Sequence, residues 1–146
     1  MINSKPLHSE LELIDKSVFK ICGLELTNIK TEAESQEYFA HNFLLNRQNI
    51  KFRKAKITPT KIGQFVTIWK RNSKGITEPF DISDKFEFYI IATRQNEKIG
   101  LFIFPKAVLY ENKILSDKTW GGKRGIRVYP IWDVTTNKQA QKTQLW

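Results

Sequence analysis

Residues 51–74 read KFRKAKITPTKIGQFVTIWKRNSK, and this stretch predicts the centre of the fold. It holds eight basic residues and neither aspartate nor glutamate. Alternation of apolar and polar residues is typical of strands, and we expect two here, over residues 50–57 and 64–70. Pro59 and Gly63 favour an irregular loop between them, because proline cannot donate to a strand ladder and glycine permits a tight turn.

Basic side chains occupy both faces of the first of these strands. Lys54 and Lys56 share one face with the apolar Phe52, whereas Lys51 and Arg53 lie on the other. Burying an unpaired charge is costly. We therefore expect at least the Lys54–Lys56 end to open to solvent or to a ligand.

The chain before this stretch predicts a helix and a strand. A helix is expected over residues 10–22, with Gly23 as its C-terminal stop and Cys22 as a small core residue. Its apolar stripe consists of Leu7, Leu11, Ile14, Val18 and Ile21. A helical turn is expected over residues 31–36. Residues 38–45 alternate as a strand, which should pair with residues 50–57 as a hairpin.

The chain after this stretch predicts a second hairpin. Residues 86–93 and 99–104 form its strands, and their near-continuous apolar character is typical of the middle of a sheet. A helical turn over residues 106–109, a strand over 126–129 and a final helix from about residue 135 follow. The sequence thus predicts one α/β domain over residues 1–146, with a central mixed sheet of five or six strands flanked by helices.

Charge is distributed unevenly along the 146 residues. Of the formal net charge of +9, residues 51–75 contribute +8, whereas residues 1–50 carry −2. Clustered lysine and arginine favour a polyanion partner, because they displace counterions from phosphates. A single cysteine allows no internal disulfide, and there is neither a signal pattern nor an apolar run of about 20 residues, so we expect a cytoplasmic protein without a membrane span.

A second basic region, TWGGKRGIRVYPIWD, occupies residues 119–133. Glycines surround Lys123 and Arg124, so backbone amides and cationic side chains could approach an anion together. An exposed turn without a ligand is the equal alternative. Trp120 and Trp132 are expected nearer the surface than Trp69, where they could stack on bases.

The basic hairpin lacks the carboxylates that a metal-dependent nuclease needs. Such enzymes hold a divalent ion with acidic residues on successive strands. Here Lys54-Ala55-Lys56 stands where a Glu-x-Lys motif would be required. Acidic residues would have to come from elsewhere, for example Glu34, Glu37 or Asp81. We expect no catalytic residue, no metal site and no cofactor, with a divalent metal only in the nuclease alternative.

Three segments resemble one family of small bacterial proteins. AKITPTKIGQFVTIWKR (residues 55–71), FIFPKAVL (102–109) and GKRGIRVYPIWDVTTNKQAQKTQ (122–144) look like the MepB family. The resemblance implies a mixed α/β fold similar to the PD-(D/E)XK nuclease core, restriction-endonuclease-like, and it suggests nucleic-acid binding. This chain departs from that core in having no visible Asp…Glu-x-Lys set.

The sequence predicts a non-catalytic protein that contacts nucleic-acid phosphates, in DNA or RNA, through one basic groove. Two alternatives stay open: a metal-dependent nuclease of PD-(D/E)XK type, and an interaction protein that docks an acidic protein partner. The predicted nucleic-acid-binding residues are Lys54, Lys56, Thr58, Thr60, Lys61, Gln64, Arg71, Lys123, Arg124 and Arg127.

Overall fold

The computed structural model describes residues 9–133. The helices are α1 (Ser9–Ile14), which continues into a π-helical turn (Asp15–Phe19), and α2 (Lys106–Glu111), and there is a 3₁₀ turn at Gln36–Tyr38. The strands in this part of the chain are β1 (Leu26–Thr31), β2 (His41–Leu45), β3 (Gln48–Lys54), β4 (Lys56–Ile57), β5 (Gln64–Thr67), β6 (Trp69–Arg71), β7 (Thr77–Pro79), β8 (Phe88–Gln95), β9 (Lys98–Pro105) and β10 (Gly125–Val128).

A five-stranded mixed sheet forms the centre of the fold, in the order β1-β2-β3-β8-β9. β2 pairs antiparallel with β3, and β8 pairs antiparallel with β9, so both predicted hairpins are confirmed. β3 and β8 run parallel and join the two hairpins. The predicted mixed α/β architecture is confirmed, although the first helix ends earlier than the predicted residue 22.

Two buried clusters lie on opposite faces of this sheet. Ile90 of β8 packs in one cluster with Leu11 of α1. Ile91, the next residue, packs in the other cluster with Leu109 of α2 and Val66 of β5. Because successive strand residues point to opposite faces, β8 is covered on both sides. This double burial explains its near-continuous apolar sequence.

The π-helical turn changes which side of the first helix faces the sheet. The Lys20 N–H donates to the Asp15 carbonyl, five residues back, at 2.9 Å. The additional residue in this turn brings Phe19 into the core at 1% exposure and leaves Ile21 76% exposed. The predicted apolar stripe is therefore right as far as Val18, which packs against the same cluster, and wrong at Ile21.

The predicted C-terminal stop of this helix is confirmed, but the predicted burial of its cysteine is not. Gly23 has a φ of +74°, the left-handed conformation expected of a helix terminator. Cys22 is exposed, so its predicted place in the core is wrong. Leu7, the first member of the predicted stripe, lies outside the described residues.

β1 forms where the sequence gives no strand signal, and it pairs antiparallel with β2. The pairing contains a bulge, because the register shifts between Thr27 and Lys30. Asn28, within the bulge, has a φ of +53°. The helical turn predicted over residues 31–36 is wrong in position, since the observed turn is the later 3₁₀ segment.

Two small sheets lie beside the central one. β10, β5 and β4 form a three-stranded antiparallel sheet, and β6 and β7 form a two-stranded one. The strand predicted over residues 64–70 is divided between them at Ile68, whose N–H donates to the Arg124 carbonyl at 2.8 Å. The helix predicted from about residue 135 lies outside the described residues. No helix of the described part is long and apolar enough to cross a membrane.

Candidate functional site

The three-stranded sheet joins the two basic regions of the sequence. β5 belongs to the first region and pairs with β10 of the second. Phe65 lies opposite both Lys56 of β4 and Arg127 of β10, so these three residues form one cross-strand row. Residues that lie opposite each other point to the same face. The sheet therefore places Lys56 and Arg127 on one face, with Phe65 between them.

Arg127 ties the loop over residues 58–63 to this sheet. Its Nη1 donates to the carbonyls of Ile62 (3.2 Å) and Gly63 (3.3 Å), and its Nη2 donates to the Thr58 hydroxyl. The same loop carries Lys61, which is exposed and forms no ion pair with any residue between 9 and 133. We name this surface the loop patch, consisting of Lys56, Thr58, Thr60, Lys61 and Arg127.

Three further cationic residues lie beside the two-stranded sheet. Arg71 of β6 lies opposite Thr77 of β7, and the Thr77 carbonyl accepts a hydrogen bond from Arg124 Nη2 at 3.2 Å. Arg71 itself donates to the Gly75 carbonyl at 2.9 Å and lies over the Trp69 ring. Lys123 precedes Arg124 and is exposed. We name this surface the hairpin patch, consisting of Arg71, Lys123 and Arg124.

The two patches lie at opposite ends of β10, which departs from the predicted single groove. Arg124 precedes the strand, and Arg127 is its third residue. Their Cα atoms are about 10 Å apart at the usual strand rise. The Arg124 side chain donates to a carbonyl of the two-stranded sheet, whereas Arg127 donates to the loop over residues 58–63. The fold therefore brings the cations of the two basic regions near one another, but they form two patches rather than one groove.

Two of the predicted residues lie outside both patches. Lys54 is on the α1 side of the central sheet, where its Nζ lies 3.0 Å from a Glu10 carboxylate oxygen. Gln64 is 2% exposed, and its amide nitrogen donates to the Arg94 carbonyl at 3.2 Å. Its burial departs from the exposed position that a phosphate contact requires.

Gly122 and Gly125 of the second basic region allow close packing. The Lys123 N–H donates to the Ile114 carbonyl at 2.9 Å, so this amide is already bonded and does not face an anion. A Cβ on Gly122 would lie 2.8 Å from the same carbonyl oxygen, and one on Gly125 would lie 2.6 Å from the Phe65 ring. The expected pairing of backbone amides with cations is therefore wrong at Lys123.

A buried ion cluster lies on the α2 side of the central sheet, and the sequence did not reveal it. Glu32, just after β1, accepts from Lys51 Nζ at 3.0 Å and from Arg53 Nη2 at 2.6 Å. Arg53 is 0% exposed and lies over the Tyr89 ring, 5.6 Å from its centroid. The hydrophobic pattern of the sequence does not indicate this cluster, because Arg53 occupies a buried strand position at which an apolar residue is expected.

The carboxylates near the basic strands are few and separated. Within residues 9–133, no group of three or more His, Cys, Asp or Glu side chains is arranged to hold a metal ion. Glu37 lies 3.3 Å from Lys56 on the surface, and both Glu32 oxygens are bonded to cations. These acidic side chains therefore balance cations of the fold.

Comparison with known proteins decides the family. The MepB-like family model matches residues 32–146. The chain belongs to the MepB-like family. It is also similar to a solved structure described as "Crystal Structure of MepB", with a TM-score of 0.82 and 31% sequence identity, over 96% of this chain and 93% of that one. No curated protein matches it. The resemblance drawn from the three sequence segments is thus confirmed.

Glu32 is expected to make this MepB-like protein sensitive to acid. Burial raises the pKa of its carboxyl, but the charges and hydrogen bonds of Arg53 and Lys51 outweigh that effect and hold the pKa below the ordinary 4.5. A carboxyl with a lowered folded-state pKa stabilises fully above its unfolded-state value, and this stabilisation is lost as the pH falls through the folded-state value. Urea unfolding at a series of pH values should therefore show stability falling below about pH 4.5.

Glu32→Gln provides the control for this acid dependence. The variant cannot release or take up a proton at residue 32, so the acid loss should be smaller than in the unchanged protein. Parallel losses of stability in the two proteins would contradict the prediction.

Proposed function

We propose that this MepB-like protein binds nucleic acid without cleaving it, mainly through backbone phosphates at the loop patch and the hairpin patch. The observation that carries the proposal is the pairing of β5 with β10, which assembles cations from residues 56–71 and 123–127 on neighbouring elements. Lysine and arginine clustered in this way form the electrostatic footprint of nucleic-acid-binding proteins.

Exposure and pairing support the same proposal. Lys61, Arg71, Lys123 and Arg124 are exposed and form no ion pair with residues 9–133. Cations of this kind can neutralise a phosphate, and so release the counterion condensed on it, without first breaking a salt bridge. By contrast, Lys51, Arg53 and Lys54 are bonded to carboxylates of the fold. Only part of the basic stretch is therefore free for a ligand.

The spacing of the patches suits a short length of one strand. β10 has four residues and joins the patches. Arg124 and Arg127 lie about 10 Å apart along it, at about 3.3 Å per residue. One strand of a duplex carries a phosphate per about 3.4 Å of helix axis. The two patches would therefore contact phosphates about three positions apart along one strand.

Removing one cation from each patch is expected to weaken binding and to flatten its salt dependence. In the double variant Lys61→Gln/Lys123→Gln, loss of two phosphate contacts should reduce the slope of log affinity against log salt by about 1.8 on duplex DNA. Fluorescence anisotropy with a labelled duplex, titrated at several salt concentrations, measures this slope.

Lys30→Gln/Arg47→Gln is the matched control. Both residues are exposed and form no ion pair with the described part of the chain, and the double change removes the same two charges. Lys30 lies on β1 and Arg47 lies in the turn between β2 and β3, away from both patches. Equal effects of the two double variants would show that net charge, rather than the patches, governs binding.

Four results would count against the proposal. Absence of nucleic-acid binding, or affinity indifferent to salt, would remove the phosphate contacts on which it rests. Capture of an acidic protein that survives nuclease treatment, with no binding to purified nucleic acid, would favour the protein-docking alternative. Cleavage of plasmid DNA in the presence of Mg²⁺ or Mn²⁺ would favour the nuclease alternative.

A further inference from the structure

A cleft of about 720 Å³ lies beside the loop patch. Its walls come from three parts of the chain: the loop over residues 57–63, the turn between β8 and β9, and Trp132 with Asp133. Ligand pockets usually measure about 300–1,000 Å³. The cleft is therefore large enough for a small flat ligand.

Gln64 lines this cleft and carries a buried oxygen without a partner. Its amide nitrogen donates to the Arg94 carbonyl at 3.2 Å, which fixes the orientation of the amide because only the NH₂ group can donate. Its Oε1 is buried and accepts no hydrogen bond from the described part of the chain. A buried acceptor left unbonded is costly. A ligand that presents an N–H group to the cleft would satisfy it.

Trp132 supplies an aromatic surface to the same cleft. Its Nε1 donates to Gln95 Oε1 at 2.8 Å, which ties the side chain to the end of β8. A Cβ on Gly100 would lie 3.3 Å from the Trp132 ring, so the absence of a side chain there lets the ring pack against β9. Aromatic side chains held in this way are the usual platforms for unpaired bases.

The charges around the cleft balance. Lys61 and Lys98 line it together with Glu97 and Asp133, two cations and two anions. Burial raises the pKa of the Asp133 carboxyl, and a hydrogen bond from the Gly63 N–H and the positive charge of Lys98 only partly offset this effect. A phosphate gains little from such a lining, whereas an uncharged group with hydrogen-bond donors is compatible with it.

We propose that the cleft takes one unpaired nucleobase of a nucleic-acid strand whose phosphates lie on the loop patch. This inference rests on the proposed function, and Lys61, which belongs to both the patch and the cleft lining, joins the two. The base would donate an N–H to Gln64 Oε1 and pack against Trp132. Each of the common bases carries such a donor, so the site selects unpaired bases over base pairs.

The test compares an intact single-stranded oligonucleotide with an abasic one of the same length. The two carry the same phosphates, so their difference reports the bases alone. The intact strand should bind about tenfold more tightly. Trp132→Leu should remove most of this preference and leave the affinity for the abasic strand unchanged. Tyr110→Leu is the matched control, because Tyr110 is an exposed aromatic residue whose hydroxyl donates to Asp117 at 2.7 Å, but it lies outside the cleft lining and both patches.

Gln64→Met gives a second, independent variant for the same measurement. It keeps the length of the side chain and removes the acceptor, so the preference for the intact strand should again fall. Circular dichroism checks that each variant folds. If Gln64→Met does not fold, Trp132→Leu still decides the question.

The outcomes separate this inference from the proposed function. Failure of both oligonucleotides to bind, while the labelled duplex still binds, overturns the base site alone. Failure of the oligonucleotides and the duplex alike overturns the proposed function and the base site with it. Equal binding of both, or a preference that Trp132→Leu leaves intact, overturns the base site alone. Competition by free nucleoside monophosphates should require millimolar concentrations. Micromolar competition would make a free nucleotide, rather than a strand, the source of the base.

Discussion

Replacing Glu32 with alanine is expected to lower the free energy of unfolding by roughly 3–5 kcal/mol, because a buried guanidinium would lose its counter-charge. Arg53 is 0% exposed, and its Nη2 lies 2.6 Å from Glu32 Oε2. Its Nη1 also donates to the Phe52 carbonyl at 3.0 Å, but this acceptor is neutral and cannot replace a carboxylate. Urea unfolding followed by circular dichroism measures the change.

Glu37→Ala is the matched control, since Glu37 also pairs with a lysine. The Glu37–Lys56 pair is 3.3 Å long, and its side chains are 73% and 46% exposed. Exposed pairs contribute about 0–1 kcal/mol, so this variant should lose little stability. Comparable losses in the two variants would show that burial does not govern the energy of the Glu32 cluster.

The double variant Glu32→Ala/Arg53→Met tests the cause of the loss. Once the guanidinium is removed, no buried charge of the Arg53–Glu32 pair is left unpaired, and an apolar side chain of similar length fills its site. Replacing a buried ion pair by apolar residues is often neutral. We therefore expect the double variant to be more stable than Glu32→Ala alone. Additive losses of the two single changes would contradict this explanation.

Gly122→Ala is expected to cost roughly 2–5 kcal/mol, from left-handed backbone strain together with overpacking. Gly122 has a φ of +71°, a conformation that L side chains rarely adopt. An added Cβ would lie 2.8 Å from the Ile114 carbonyl oxygen, 2.9 Å from the Ser116 nitrogen and 2.9 Å from Pro79 Cβ. Two of these atoms belong to the backbone, so they cannot move aside as a flexible side chain would. Thermal or urea unfolding gives the difference.

Two other glycines separate strain from overpacking. Gly75 has a φ of +77° and nothing within 4 Å of an added Cβ, so Gly75→Ala should show the backbone cost alone, about 1–2 kcal/mol. Gly121 also has open space around its Cβ and no positive φ, so Gly121→Ala should change stability by less than about 0.5 kcal/mol. A Gly122→Ala loss no larger than that of Gly75→Ala would remove the overpacking contribution.

The sequence predicted those parts of the fold in which side-chain period and turn chemistry agree. The hairpins β2–β3 and β8–β9 have alternating or continuously apolar strands, each joined by a short polar turn. The sequence failed where a local backbone feature overrides periodicity. The π-helical turn buries Phe19, which is not in the predicted apolar stripe, and no residue type in the sequence indicates such a turn. β1 lacks a signal because four of its six residues are exposed.

The sequence predicted where the cations of the candidate site lie along the chain, but not which of them are paired with carboxylates. Composition locates the cations, and the pairing of β5 with β10 then brings the two basic regions together. Sequence gives no means of telling which lysines are bonded to carboxylates, because their partners are distant along the chain. Lys54 and Glu10 are 44 positions apart. The cleft could not be predicted from the sequence for the same reason, since its walls come from three separate segments.

The bulge in β1 has a consequence for self-association. β1 is a terminal strand of the central sheet, and an unpaired strand offers free backbone N–H and carbonyl groups to another chain. The shifted register between Thr27 and Lys30, with Asn28 at a φ of +53°, interrupts that row of groups and leaves a lysine on it. A straight, uncharged terminal strand would be a better template for intermolecular β-sheet growth. The irregularity therefore makes pairing with another chain less favourable. Its cost is the few backbone hydrogen bonds that a regular strand would add.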